Sequence, residues 1–132
     1  MSAQVFHGIQ HLDKIETAAS VCFDTETLQL QPERGKLRLL QLGSGARNTV
    51  VLIDCFELDK SEWVKLRRFF GSPVRYWLAH NAVFDLGWLQ EHDIYPHGWV
   101  RCSMLASRLL TNGMPFPKHG LANVVKRYLD TD

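Results

Sequence analysis

The chain has 132 residues, 45% of them hydrophobic, with 4 Trp and 7 Phe, enough for one domain (1–132) with its own core and too few for two ordinary ones. A 22% charged fraction excludes a disordered chain, and a net charge of +1 excludes capture of a partner by overall field, so a nucleic acid would have to be held by local patches. No stretch has the length of a membrane span or a signal peptide, and three cysteines without C-x-x-C spacing point to a reducing cytoplasm and no membrane partner.

Residues 5–19 read as a short strand and one helical turn, with Ile9, Leu12 and Ile15 on the apolar side. Three strands follow, over residues 21–25, 36–43 and 49–54, separated by gaps short enough for antiparallel hairpins. Cys22 and Cys55 lie in or beside these apolar runs, where buried reduced thiols are common. The period then changes. Asp59 and Glu62 form a capping box ahead of Trp63, Leu66 and Phe70, and Gly71-Ser72-Pro73 stops that helix. A strand over 75–80 leads to Asn81 as N-cap of a helix over about 83–91. A short strand near Trp99-Val100 precedes helices over about 103–110 and 121–129, the last with Leu121, Val124, Val125, Tyr128 and Leu129 on one face. Strands first, then alternating helices and strands, predict an α/β domain on a mixed sheet.

Asp24 and Glu26 stand at i and i+2 of the first long strand and so project from one face. Two like charges beside a core repel and resist desolvation, and a hard divalent cation with oxygen ligands is the usual remedy. Asp85 falls in the first turn of the helix after a strand. If that strand is a parallel neighbour of the first, the helix N-terminus arrives near Asp24 and Glu26, and three carboxylates meet in one cleft. His80 reads as a packed or hydrogen-bonded histidine, and the six histidines have no zinc spacing. Phe84 and Trp88, at i and i+4, are core packing, or Phe84 leans on a base. Cys102 precedes a helix and reads as a structural thiol. Lys65, Arg67 and Arg68, and separately Lys118, Lys126 and Arg127, are solvated helix faces or phosphate contacts.

Phe23-Asp24-Thr25-Glu26-Thr27 resembles the first motif of the DEDD superfamily of 3′–5′ exonucleases, and His80-Asn81-Ala82-x-Phe84-Asp85-x-x-x-Leu89 resembles its second. Residues 104–110 and 119–129 resemble the segments that follow, in the family's order, with ribonuclease D and the proofreading domain of family-A DNA polymerases as the nearest in character. The resemblance implies a ribonuclease-H-like fold and a two-metal hydrolase using Mg²⁺ or Mn²⁺ to release nucleoside monophosphates from single-stranded DNA or RNA 3′ ends. It implies that Asp24 and Glu26 hold one ion, and that Asp24 bridges to a second ion held through water by Asp85. Thr27 and Leu28 match positions beside the terminal nucleotide; Asn81, as N-cap, site residue or both, and Phe84, if it leans on a base, are the other candidate substrate-binding residues.

The family's fourth acid, preceded by a Tyr or His, belongs to a later helix that this sequence does not reach, which implies a fold truncated at its C-terminus. Tyr128-Leu129-Asp130-Thr131-Asp132 spells Tyr-x-x-x-Asp, so either Tyr128 orients water and Asp132 binds metal, or Tyr128 belongs to the apolar helix face and the spacing is chance. Alternatively three acids support a slower enzyme, with His119 or water filling the gap. In the third reading a partner chain supplies the missing part, or the protein is a nucleic-acid-binding or partner-docking module without turnover. A missing closing helix predicts exposed apolar surface, and with it a homodimer or a partner fragment.

Overall fold

The computed structural model of the chain describes residues 2–30 and 35–129. The order is β1 (Gln4–His7), a 3₁₀ helix (Ile9–Lys14), β2 (Ser20–Thr27), β3 (Leu37–Ser44), β4 (Thr49–Asp54), α1 (Lys60–Gly71), β5 (Tyr76–Ala79), α2 (Ala82–Gln90), β6 (Val100–Cys102), α3 (Ser103–Leu110) and α4 (Leu121–Leu129). The strands among the described residues form one mixed sheet in the order β1-β4-β3-β2-β5-β6. β2, β3 and β4 are the predicted antiparallel meander. β1 joins β4 in parallel, while β5 and β6 add in parallel beyond β2, each reached through a helix.

The two faces of this sheet differ. Along β2, Val21, Phe23 and Thr25 are buried, while Cys22, Asp24 and Glu26 are exposed. The buried face packs under α1, α2 and the 3₁₀ helix, in a cluster that includes Ile15, Leu40, Ile53, Leu66, Phe70 and Trp77. Phe70 stacks on Trp77 at 4.4 Å, and Phe23 meets both rings edge-on at 5.9 and 6.0 Å. Cys22 belongs to the opposite face and is exposed, contrary to the burial its apolar flanks suggest; the strand alternates, and its neighbours Val21 and Phe23 take the core side. Cys55 is buried as expected, and burial pushes its thiol up to about 12.

The capping box at α1 is formed: the Asp59 carboxylate accepts from the Glu62 N–H at 2.8 Å, and the Glu62 carboxylate accepts from the Asp59 N–H at 3.1 Å. At the other end, buried Arg75 donates to the Phe69 carbonyl at 2.6 Å and lies 4.2 Å over the Phe69 ring. It thus satisfies one of the carbonyls that a helix terminus leaves unpaired. Its second donation, to the Glu16 carbonyl, ties the segment after the 3₁₀ helix to α1.

Gly35 closes the loop between β2 and β3 against α2. A Cβ there would stand 2.4 Å from the Trp88 ring and 3.0 Å from Gln29 Cβ. Trp88 is 1% exposed and has nowhere to retreat. Gly35→Ala is therefore expected to destabilise the fold by about 1–3 kcal/mol, the usual cost of overpacking, read as a lower urea midpoint with an unchanged m-value.

α4 has the apolar face that its sequence predicts, but no residue of the helix is buried. Val124 and Val125 are half-buried, whereas Leu121, Tyr128 and Leu129 are exposed. Leu105, Leu109 and Leu110 of α3, with Met114 and Phe116 between the helices, are exposed as well. These side chains leave α3, α4 and the segment between them with apolar groups open to solvent.

Candidate metal centre

The site begins with the alternation of β2, which puts Asp24 and Glu26 on the open face. In the antiparallel register Gln41 of β3 lies directly opposite Asp24. Its Nε2 donates to Asp24 Oδ2 at 3.2 Å and to Glu26 Oε1 at 3.5 Å. Immediately after Glu26 the β2–β3 register shifts, a bulge of the kind that re-aims side chains beside functional sites.

Asp85 arrives from the far side of β2. The pairing of β2 with β5 stops at Cys22–Leu78, because the chain leaves β5 at Ala79 to start α2. The edge of β2 at Thr25 is thereby left without a neighbouring strand on that side. Asp85, in the first turn of α2, fills the gap: its Oδ1 accepts from the Thr25 N–H at 3.0 Å and from the Thr25 hydroxyl at 2.6 Å. Thr25 lies between the two acids of the open face, so the third acid is bonded to the residue joining the first two. Asp85 is 2% exposed. Burial raises its pKa above the ordinary carboxylate value; the bonds from Thr25 pull it back, and the charge of Asp24 pushes it up again.

The acids thus approach from two sides, a pair on the open face and one at the strand edge. Among the described residues no three His, Cys, Asp or Glu side chains gather closely enough to hold an ion by themselves. The donor set nevertheless fits a hard cation. Asp24 Oδ1 and Glu26 Oε2 accept no hydrogen bond from the described residues, and neither acid has a basic partner there.

Next to Asp24 the open face sinks into a cleft of about 340 Å³ lined by Cys22, Gln41, Leu78, His80, Ser103 and Leu121, among others. His80 is the hydrogen-bonded histidine expected, with Nδ1 2.9 Å from Ser103 Oγ and Nε2 2.9 Å from the His119 carbonyl. The His119 ring is itself engaged, with Nδ1 2.8 Å from Ser107 Oγ.

Asn81 stands at the N-cap of α2, but its side chain makes no cap bond. It adopts a left-handed conformation, φ 62°, that aims its side chain elsewhere. The Ala82 N–H is met instead by Cys102 Sγ at 3.4 Å. Burial opposes ionisation of Cys102, yet the N–H groups of Ala82, Leu105, Met104 and Asn81 together hold its pKa below the ordinary thiol value. Phe84 is half-buried and meets Trp88 edge-on at 6.4 Å. The Thr27 hydroxyl donates to the Gln29 carbonyl at 2.7 Å, and Leu28 is 64% exposed. Tyr128 is 45% exposed near the end of α4, beneath the Arg127 guanidinium. Asp132 lies outside the described residues.

Two residues at the centre escape a reading of the sequence, Thr25 and Gln41. Thr25 had a signal: a polar side chain at an inward strand position needs a buried partner. Gln41 had none, since its role depends on strand register.

A mixed six-stranded sheet with flanking helices and acids at the end of its central strand is the ribonuclease-H-like exonuclease architecture. The sequence profile of the 3′–5′ exonuclease family matches residues 8–132, and the chain belongs to that family. Among solved structures, NrnC of Brucella melitensis with bound Mg²⁺ is similar at 26% identity and a TM-score of 0.76, over 100% of this chain and 64% of that one. NrnC bound to pGG gives 26% identity and a TM-score of 0.77, over 100% and 63%. Escherichia coli RNase D, an exoribonuclease involved in structured RNA processing, shares the fold at 19% identity and a TM-score of 0.75, over 99% of this chain and 34% of that one. The chain therefore spans less than two thirds of the length of these relatives. None of the curated proteins searched matches it. No helix among the described residues is long and apolar enough to cross a membrane.

Proposed function

We propose that the chain is a metal-dependent 3′–5′ exonuclease acting on single-stranded DNA or RNA ends, with Asp24, Glu26 and Asp85 as its metal-holding acids. The observation that carries this reading is the junction at Thr25, which fastens Asp85 of the second motif to the residue that joins the two acids of the first. The Mg²⁺ and the pGG bound by NrnC support it from outside.

Two divalent ions, when bound, would make hydroxide available near neutral pH and neutralise charge on the attacking and leaving oxygens. The chain's own residues hold and orient. Asp24 and Glu26 offer their unbonded oxygens on the open face, and Asp85 is fixed at the edge beside them. Exposed Leu28, with Thr27, Asn81 and Phe84, would border the terminal nucleotide. Tyr128 would orient water, and Asp132 would complete the ligand set.

The test is a 5′-labelled single-stranded oligonucleotide incubated with Mn²⁺ or Mg²⁺. A ladder descending from the 3′ end, abolished by EDTA, is the expected product pattern. The three acids do not form one cluster among the described residues, and this favours a second reading: a nucleic-acid-binding or partner-docking module with little turnover. Oligonucleotide binding that EDTA leaves unchanged, without any ladder, would decide for it.

The apolar surface of α3 and α4 supports a homodimer or a bound partner fragment. Light scattering is expected to give twice the chain mass at about 100 μM for a moderate interface, and Leu109→Asp, on an 80% exposed position, to return the monomer. A monomer at every concentration tested would dismiss self-association.

A further inference from the structure

We infer that Gln41 is the positioning residue that pre-sets the acid pair for its cation, an inference that rests on the nuclease reading above. The two carboxylates project from the same face of one strand, and no Lys or Arg pairs with either among the described residues. Left alone, two like charges at this spacing turn apart. Gln41 prevents that from the neighbouring strand. It lies opposite Asp24 and diagonal to Glu26, and one amide nitrogen reaches both.

The choice of an amide has a chemical logic. An –NH₂ group carries two donors, one for each acid, so a single side chain suffices. The reversed amide would aim its oxygen at two carboxylates, and electrostatics excludes that orientation. A Lys or Arg here would hold the acids equally well but would neutralise them and compete with the incoming ion. Gln holds without competing. It also takes only one oxygen from each acid, leaving Asp24 Oδ1 and Glu26 Oε2 for the cation. Its own placement is secure, because Leu40 and Leu42 on either side are wholly buried in the opposite face.

Gln41 touches neither substrate nor the reacting atoms in this scheme. It acts on affinity for the ion rather than on the chemical step. Mn²⁺ titration by calorimetry reads this directly. Gln41→Leu is expected to weaken Mn²⁺ binding by about 10–100-fold, the range for loss of a group that orients a ligand, with the stoichiometry kept. Gln41→Asn keeps the donors on a shorter stem, reaches one acid at most, and should fall between the two. The Mn²⁺ concentration for half-maximal nuclease activity should rise in parallel, while kcat at saturating Mn²⁺ and KM for the oligonucleotide stay near wild type.

The outcomes separate the two readings. Wild-type protein that takes up no Mn²⁺ sinks the nuclease reading and this inference with it. Uptake by wild type that Gln41→Leu leaves unchanged overturns the role of Gln41 alone. A loss of stoichiometry at unchanged affinity, in both variants, would mean that Gln41 serves folding only and would also overturn it.

Discussion

Asp24→Ala is expected to abolish the 3′ ladder, with a fall in rate of at least 100-fold, and to leave the fold intact. Loss of an outer orienting group costs about 10–100-fold, and a residue that itself holds the ion should cost at least the upper end of that range. Folding should not suffer, because Asp24 points away from the core. Among the described residues its one side-chain hydrogen bond is to Gln41, and removing its charge relieves the neighbouring Asp85. The thermal midpoint in EDTA should therefore stay level or rise. Rates on the labelled oligonucleotide, together with a melting curve, check both halves. Activity that survives the substitution would remove Asp24 from the site.

The second large effect concerns Asp85, where the choice of replacement separates charge from shape. Asp85→Ala leaves the buried N–H and hydroxyl of Thr25 without their acceptor, and unsatisfied buried donors cost about 1–3 kcal/mol. Asp85→Asn retains an oxygen for both donors and removes the charge that burial disfavours. Both variants should lose nuclease activity, but only Ala should lose stability.

The sign of the pH dependence follows from the direction of the shift. An acid whose folded-state pKa is raised favours the native state in its protonated form. Its contribution is full below the ordinary carboxylate range and is lost as pH rises through the raised value. In EDTA, the Asn variant should therefore exceed wild type in stability at pH 8, with the gap closing toward pH 5. Urea denaturation at the two pH values measures this. Equal stabilities for the Ala and Asn variants would show that the Thr25 junction contributes nothing.

Much of this architecture is legible in the chain because it is locally encoded. The period of two along β2 places Asp24 and Glu26 together, the Asp59–Glu62 box starts α1, and α3 and α4 fall where their helical spacing predicts. What the sequence hides is what depends on pairing between distant segments. Gln41 reads as an ordinary polar position in a Leu-rich strand until the β2–β3 register sets it against Asp24. The capping of α2 by Cys102 requires β6 to lie beside β5, and without that knowledge Asn81 is the natural cap. That Asp85 can reach Thr25 at the free edge of β2 follows from where the β2–β5 pairing ends.

The division of β2 between its two faces has a consequence for how such a domain changes over time. Residues that would do chemistry and residues that build the interior alternate along one strand and face opposite sides of the sheet. On the proposed reading, selection can therefore erase turnover through positions 24 and 26, or retune ion affinity through position 41, while the scaffold persists.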